Sequence, residues 1–280
     1  MDKMMDECTV AVERACLPFV KWAGGKRWLT TGHCSVVPRK YKRYIEPFLG
    51  GGAVFFSENP SEALLSDVNL ELINAYQVIR DDWRAVARGL ARMQKFHNSD
   101  YYYKVRSSRP RSDVGRALRF LYLNRTCWNG LYRVNRQGQF NVPKGTKETV
   151  VLDTDNFERV AGLLQSACIV SQDFEKSVEQ AVAGDFIFVD PPYTVKHNLN
   201  GFVKYNEKIF SWSDQVRLKD CLVAAANRGA LITVTNADHV SIRELYEGYG
   251  SLERVNRSSV LAGSPSRRGR VSELLIRIGW

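Results

Sequence analysis

Residues 44–56 place the strongest restriction on the fold of this chain of 280 residues. They read as a short apolar strand, a turn built on Gly50, Gly51 and Gly52, and an apolar helix. A strand, a glycine turn and a helix in this order open nucleotide-type α/β folds. The glycines do not match G-x-G-x-x-G, because Phe55 stands at the third glycine position, and no phosphate-binding G-K-[ST] follows. We therefore expect the first βα unit of a nucleotide-type α/β fold, with a turn that suits a nucleoside without a pyrophosphate.

An acidic residue, Asp67, follows the second predicted strand at residues 63–66. A carboxylate at this place suits the hydroxyl groups of a ribose. Asp67 could equally be the N-cap of the helical pattern at residues 68–79, and the two roles are compatible.

A second ligand-binding feature is predicted at residues 186–193. Four apolar residues, two of them aromatic, predict a buried strand that ends at Asp190, Pro191, Pro192 and Tyr193. Ligands of open α/β sheets bind at this end of the strands. For an isolated Asp-Pro-Pro, a structural turn is the better interpretation, so the function depends on the rest of the chain.

The charge is concentrated in one part of the chain. Residues 70–150 hold sixteen Lys and Arg and six Asp and Glu, an excess of ten positive charges. This excess equals the net charge of +10 of the whole chain. A solvated basic face is one explanation, but such a concentration favours a polyanionic partner. Binding to a membrane surface is less favoured, because the arginines alternate with tyrosines and turn residues instead of following one helix face.

Within this basic segment, helical spacing of apolar residues predicts helices near 70–79, 83–90 and 114–122, with a basic loop at 106–111. Residues 128–143 alternate and contain the turn signals Asn-Gly and Gln-Gly, which predicts a two-stranded ribbon. It carries Asn129, Arg133, Asn135 and Arg136, of residue types that pair with adenine and guanine edges. For each residue separately, an ordinary surface position is an equally good explanation.

The rest of the chain returns to an α/β pattern. Strands are predicted at 168–171, before Asp173, and at 231–234, 251–255 and 271–278, with helices at 156–165, 211–227 and 240–247. The polar run 194–210 is predicted to be a mobile active-site loop, and 264–270 a basic loop.

Several classes of protein are disfavoured. The six cysteines include no C-x-x-C pair and the four histidines are isolated, so we expect no metal. No apolar run is long enough to span a membrane, and the acidic N-terminus does not resemble a signal peptide, so we expect a cytoplasmic protein.

Taken together, the motifs resemble those of the Dam-type, or alpha-group, DNA adenine-N6 methyltransferases. Four stretches match in order, and a stretch at 121–125 (LYLNR) is also typical. The four are 21–26 (KWAGGK), 46–52 (EPFLGGG), 129–143 (NGL through FNVP) and 190–193 (DPPY). The resemblance covers the chain from residue 19 to the C-terminal strand.

The resemblance implies an α/β fold with a Rossmann-like class I methyltransferase sheet and an inserted, mostly helical DNA-recognition domain that carries the ribbon. The implied boundaries are 1–69 and 151–280 for the catalytic domain and 70–150 for the recognition domain. The implied cofactor is S-adenosylmethionine, which becomes S-adenosylhomocysteine. The implied partner is double-stranded DNA, with GATC as the common family target and a restriction endonuclease as a further partner of some members. We expect a monomer in the cytoplasm, which would be the host's if a phage encodes the protein.

The resemblance also assigns site residues. The catalytic ones are Asp190, Pro191, Pro192 and Tyr193. The implied cofactor contacts are Trp22, Lys26, Gly50, Gly51, Gly52, Asp67, Asp173 and Asp190, and the implied DNA contacts are Lys21, Trp128, Asn129, Leu131, Arg133, Asn135 and Pro143. One departure concerns Cys127 and Trp128, where family members usually have glycine followed by an aromatic residue, so the contact with the base step is expected to differ.

The chemistry of these residue types agrees with the resemblance. Asp190 and the Pro191 carbonyl can accept hydrogen bonds from the two N–H groups of an adenine amine. Tyr193 can stack on a base that has left the duplex. A C5-cytosine enzyme would require a Pro-Cys nucleophile, which the chain lacks. Two alternatives remain, a methyltransferase for another planar amine, such as RNA or a protein amide, and an inactive DNA-binding relative.

Overall fold

The computed structural model describes residues 16–30, 35–135, 137–196, 210–258 and 270–280. Most of the predicted loops 194–210 and 264–270 falls outside these residues, and so does Arg136. The structure divides into two compact units, one of Met1–Thr30, Gly50–Asn59 and Asn69–Ser171, the other of Thr31–Leu49, Pro60–Val68 and Gln172–Trp280. This division is one of packing, and the functional boundaries at residues 69 and 150 stay a prediction.

Six strands of the second unit form one sheet. They are β1 (Tyr44–Glu46), β2 (Ala63–Asp67), β4 (Phe186–Val189), β5 (Leu231–Ala237), β6 (Ser251–Ser258) and β7 (Arg270–Ile278). Their order is β2-β1-β4-β5-β7-β6. The first four are parallel, and β7 lies antiparallel between β5 and β6. This topology confirms the predicted Rossmann-like sheet.

The strand order reverses at β1, since the chain passes outward to β2 and later returns to β4 on the other side of β1. Parallel α/β sheets bind ligands at such a switch point, outside the carboxyl ends of the strands. The carboxyl end of β4 is Val189, so Asp190 is the first residue beyond the strand at this point. All four residues of β4 are buried, as expected for a central parallel strand.

Three described helices accompany this sheet: α6 (Phe174–Glu179), α7 (Trp212–Asn227) and α8 (Val240–Tyr246). A capping box begins α7, because Ser211 and Asp214 exchange side-chain to backbone hydrogen bonds. Gln215 and Leu218 are fully buried on the inner face of α7.

The first unit contains α1 (Ala53–Glu58), α2 (Leu70–Phe96), α3 (Ser99–Ser107), α4 (Asp113–Thr126), α5 (Phe157–Leu164) and the strand β3 (Ala167–Ser171). Two predicted helices merge into α2, which is interrupted at Asp82 by a non-helical conformation. Helix α3, capped by Asn98, was not predicted, and it includes the first two residues of the predicted basic loop. Its short polar sequence has only two buried side chains, Tyr102 and Val105, and so shows weak periodicity.

The predicted ribbon at 128–143 is shorter than its sequence pattern indicates. The described residues form two isolated antiparallel bridges, Val134 with Phe140 and Cys127 with Lys144. The Asn135 side chain accepts hydrogen bonds from the backbone N–H groups of Gln137 and Gln139, which closes the turn locally. Such side-chain to backbone bonds compete with a regular ladder.

No described helix is long and apolar enough to cross a membrane. Within the described ranges, no group of histidine, cysteine and acidic side chains could hold a metal ion.

Candidate active site

The Asp-Pro-Pro-Tyr segment is held by side chains of β5, β7 and α7. The hydroxyl of Thr235, on β5, donates a hydrogen bond of 2.7 Å to Asp190 Oδ1. The amide of Gln215, on α7, donates to the Pro192 carbonyl at 3.2 Å, and the Asn236 amide in turn donates to Gln215 Oε1 at 3.1 Å. Thr235, Asn236 and Gln215 are fully buried, so the segment rests on a rigid polar network.

Tyr193 is partly exposed, whereas its hydroxyl donates a hydrogen bond of 2.7 Å to Oε2 of the buried Glu273 on β7. Burial and the neighbouring carboxylates of Asp190 and Glu273 raise the pKa of Tyr193 well above its ordinary value. The phenol therefore remains protonated and acts as a donor at physiological pH.

Of the two other predicted acidic residues of the second unit, only Asp173 is an N-cap. The N-cap role considered for Asp67 is wrong, because the side chain of Asn69 caps α2. Asp67 ends β2, and its neighbour Ser66 is hydrogen-bonded to Ser177 of α6 at 2.6 Å. Asp173 is the N-cap of α6 and forms an ion pair with Arg217, with distances of 2.8 and 3.1 Å. The hydrogen bond from Arg217 lowers the pKa of Asp173. Asp173 thus already carries two structural roles.

The glycine turn, in the first unit, requires glycine at two positions. Gly50 and Gly52 have positive φ angles of 47° and 63°, which disfavour other residues. A Cβ added at Gly50 would approach Cδ1 of Trp22 to 2.6 Å. The Trp22 ring therefore lies directly against bare backbone. A glycine surface beside an aromatic ring fits a planar ligand better than a phosphate group.

The segment that carries Lys21, Trp22 and Lys26 is fixed by α4. The Asn124 side chain accepts a hydrogen bond from the Lys21 N–H at 2.9 Å and donates one to the Lys21 carbonyl at 2.7 Å. The neighbouring Arg125 donates to the Phe19 carbonyl. Lys26 is buried, and its ammonium donates to the Gly24 carbonyl at 2.7 Å.

The structure brings this segment and the predicted DNA-binding residues together within the first unit. The Trp22 ring stacks on Tyr132, with centroids 6.0 Å apart, and Tyr132 lies between Leu131 and Arg133 in the chain. A Cβ added at Gly130 would meet the Lys21 side chain at 2.8 Å. The predicted cofactor residue Trp22 and the start of the ribbon are therefore packed against each other.

The predicted DNA contacts differ in exposure. Trp128, Asn129 and Pro143 are exposed, and Leu131, Arg133 and Asn135 are partly exposed. Asn129 adopts the left-handed conformation, with φ of 54°, in a short 3-10 turn at Trp128–Gly130. Arg133 donates to Asn141 Oδ1 across the ribbon at 2.9 Å.

Cys127 stands where family members usually have glycine, and its side chain is buried. Burial raises the pKa of its thiol to about 11. It is therefore a protonated core residue at neutral pH, and the exposed Trp128 is the aromatic group that this turn presents.

Sequence reasoning did not assign roles to Asn124, Gln215, Thr235 or Glu273. The sequence does mark two of them as unusual, because Glu273 is a charged residue within an apolar strand and Asn124 is a polar residue within an apolar helix. Buried polar residues in such positions require partners. The partners of these side chains come from distant parts of the chain, which the local pattern does not reveal.

Comparison with known proteins agrees with this arrangement. The family model described as D12 class N6 adenine-specific DNA methyltransferase matches residues 22–260. The chain is 37% identical to a Type II methyltransferase, M1.LlaDCHI, of Lactococcus lactis subsp. cremoris, over 92% of this chain and 94% of that protein. It is 33% identical to the DNA adenine methylase of Haemophilus influenzae, over 94% and 93%, and 33% identical to a Type II methyltransferase, M.MjaIII, of Methanocaldococcus jannaschii, over 92% and 98%.

The family model covers most of the chain, and the relatives align over nearly their whole length. The fold, the Asp-Pro-Pro-Tyr segment at the switch point and these similarities lead to one conclusion. The chain belongs to the D12 class of N6 adenine-specific DNA methyltransferases.

Proposed function

We propose that this enzyme transfers the methyl group of S-adenosylmethionine to the N6 amine of an adenine that is rotated out of double-stranded DNA, within the sequence GATC. The observation that carries the proposal is Asp190, held by Thr235 at the carboxyl end of β4, where the strand order reverses. Family membership supports an adenine in DNA as the substrate.

The adenine amine is a weak nucleophile, because its lone pair is conjugated with the ring. In this proposal, Asp190 and the Pro191 carbonyl accept hydrogen bonds from the two N–H groups of the amine. These two hydrogen bonds direct the lone pair out of the ring plane. A carboxylate has several acceptor sites, so Asp190 can bind the amine while it accepts the Thr235 hydrogen bond. Pro191 and Pro192 have no N–H and a restricted φ, which keeps the carbonyl oriented.

The cofactor would supply an electrophilic methyl carbon and leave as S-adenosylhomocysteine, and the methylated amine would lose one proton to solvent. The bare backbone at Gly50 beside Trp22 and the carboxylate of Asp67 suit a nucleoside that lacks phosphates. We propose these cofactor contacts: Trp22, Lys26, Gly50, Gly51, Gly52, Asp67, Asp173 and Asp190. Catalysis in this proposal depends on position and electrostatics and needs no covalent intermediate with the protein.

The proposed DNA contacts are Lys21, Trp128, Asn129, Leu131, Arg133, Asn135 and Pro143. Arginine and asparagine side chains on a narrow ribbon can read base edges in the major groove, and the exposed Trp128 offers an apolar contact with a base step.

The test is to incubate the purified protein with duplex DNA and S-adenosylmethionine labelled in the methyl group. We expect label in N6-methyladenine after digestion to nucleosides, and sequencing that detects methylated bases should place it in GATC. Matched RNA of the same sequence should remain unlabelled. Label in another nucleoside would contradict the reaction, and label at adenines outside GATC would contradict only the target site.

A further inference from the structure

A buried acidic residue, Glu273, contacts the Asp-Pro-Pro-Tyr segment from the antiparallel strand β7. It is 2% exposed and lies opposite Ala237 of β5 and Val255 of β6. Burial of a carboxylate is costly unless donors compensate it, so a glutamate in the interior of a sheet calls for an explanation. Tyr193 supplies one such donor, at 2.7 Å.

The hydrogen bond to Glu273 acts on the side chain of Tyr193, whereas the main contacts of Thr235 and Gln215 hold the Asp190 side chain and the Pro192 carbonyl. The Thr235 side chain also forms a hydrogen bond with the Tyr193 hydroxyl, so Thr235 and Glu273 meet the same end of the ring. The bond from the Tyr193 hydroxyl to Glu273 fixes the far end of the ring, and so fixes the direction in which the ring faces point.

We infer that Glu273 is a positioning residue, which orients the Tyr193 ring so that one face is available to the target base before the base arrives. The inference depends on the proposed function, because it takes a base stacked on Tyr193 as the ligand. Fixing the ring in advance removes the entropy cost of ordering it during binding.

A carboxylate is suited to this task for two reasons. It accepts hydrogen bonds and donates none when ionised, so the tyrosine hydroxyl can only be the donor. A charged acceptor also forms a stronger hydrogen bond than an amide does. Glutamine could turn its NH₂ group toward the hydroxyl and would hold the ring less firmly.

The experiment compares Tyr193→Phe, Glu273→Gln and Glu273→Ala with Glu253→Gln as the matched control. Glu253 lies on the neighbouring strand β6 and pairs with Arg277 on the surface. The substrate is a GATC duplex, and a second duplex carries the fluorescent base 2-aminopurine at the target adenine. The measurements are kcat, KM for DNA, and the fluorescence of the bound duplex.

We expect Tyr193→Phe and Glu273→Ala each to lower kcat about tenfold with a smaller effect on KM, and Glu273→Gln to lie between them and the wild type. Because the two residues act through one bond, Tyr193→Phe combined with Glu273→Ala should be no slower than either alone. The fluorescence of the extruded base should rise in these variants, since a freely rotating ring stacks on it less. Glu253→Gln should match the wild type.

The inference is overturned if Tyr193→Phe is as active as the wild type, or if the losses from Tyr193→Phe and Glu273→Ala multiply. If Glu273→Ala does not fold, the same comparison is made with Tyr193→Phe, Glu273→Gln and the double variant that combines these two substitutions. A wild-type protein that forms no N6-methyladenine would instead contradict the proposed function itself.

Discussion

At the scale of single residues, Asp190 is the side chain whose loss should affect the reaction most directly. Asp190→Ala removes the acceptor proposed for the adenine amine and also leaves the Thr235 hydroxyl without this partner. We expect kcat to fall by about two to three orders of magnitude, as for other preorganised polar groups in active sites. Single-turnover methylation of a GATC duplex measures this loss.

Binding of DNA in the absence of cofactor should change little in Asp190→Ala, because this carboxylate is not among the proposed DNA contacts. Asp153→Ala, in an exposed turn, is the control and should retain wild-type activity. Strong residual turnover in Asp190→Ala would contradict the role assigned to this residue.

The sequence was sufficient to locate Asp190 because its signal is local. An apolar strand that stops at Asp-Pro-Pro-Tyr identifies the carboxyl end of a strand without knowledge of its neighbours. The supports of this segment could not be located in the same way. Thr235 and Glu273 come from strands 45 and 80 residues later in the chain, and only the sheet order brings them close. A central buried strand is therefore easier to predict than the side chains that contact its end.

At the scale of structural elements, the same contrast separates α2 from the ribbon. Apolar periodicity predicted two helices, near 70–79 and 83–90, and both lie in α2, which the non-helical conformation of Asp82 interrupts. For the ribbon, alternation predicted continuous strands, whereas Asn135 directs its hydrogen bonds into the turn. Short polar side chains can bind backbone N–H groups that would otherwise pair between strands. The alternation of apolar and polar residues gives no information about this competition.

The anchoring of residues 16–30 on α4 makes a prediction for Asn124. Asn124→Ala removes the donor and the acceptor that hold the Lys21 backbone. We expect the free energy of unfolding to fall by about 1–3 kcal/mol, the usual cost of leaving buried polar groups without partners. Unfolding in urea, followed by tryptophan fluorescence, measures it.

Asn124→Asp sharpens this test, because it keeps the acceptor for the Lys21 N–H and replaces the donor with a carboxylate oxygen. It should destabilise the protein at least as much as alanine does. The exposed Gln137→Ala is the control and should change stability by less than about 0.5 kcal/mol. Equal stability of all three variants would show that the Lys21 segment does not depend on Asn124.

The ribbon makes a prediction about sequence discrimination. Arg133 is aligned by Asn141, and a guanidinium held in one orientation can bind a guanine edge through two hydrogen bonds. Arg133→Ala should relax discrimination at one base pair of the target by about 1–3 kcal/mol. Methylation rates on duplexes that each differ from GATC at one position measure the effect.

Arg111→Ala is the comparison, because Arg111 lies in an exposed loop of the same basic segment. It should weaken binding to all duplexes alike, as loss of a phosphate contact does. A uniform loss for Arg133→Ala as well would assign Arg133 to the DNA backbone.

At the scale of the whole molecule, His97 should make stability depend on pH. Its ring is 1% exposed and contacts the Tyr122 hydroxyl at 2.7 Å. Burial lowers the pKa of His97, an effect that Glu148 partly opposes. The unfolded chain therefore binds a proton near pH 6.5 where the folded chain does not. The contribution of His97 to stability is complete above this pH and is lost as the pH falls below it.

Urea unfolding at pH 7.5 and pH 5.5 tests this sign. The wild type should be less stable at pH 5.5, and His97→Gln should lose part of that difference while being less stable than the wild type at pH 7.5. Both values lie above the ordinary range of carboxylates, so aspartates and glutamates contribute little. An unchanged difference between the two pH values in His97→Gln would assign the pH dependence to other groups.

The concentration of positive charge in residues 70–150 predicts how the whole molecule responds to salt. Each phosphate neutralised by lysine or arginine releases counterions. The logarithm of the DNA affinity should therefore fall linearly with the logarithm of the salt concentration, with a slope that steepens by about 0.9 per phosphate contact.

Arg109→Gln and Arg111→Gln, both at exposed positions of this segment, should each reduce the slope by about 1 if they contact phosphates. Lys176→Gln, exposed on α6 of the other unit, should leave it unchanged. Affinity measured on a duplex without GATC, between low and physiological salt, isolates this electrostatic contribution. A slope that is flat in the wild type, or that changes only in Lys176→Gln, would place the DNA surface outside residues 70–150.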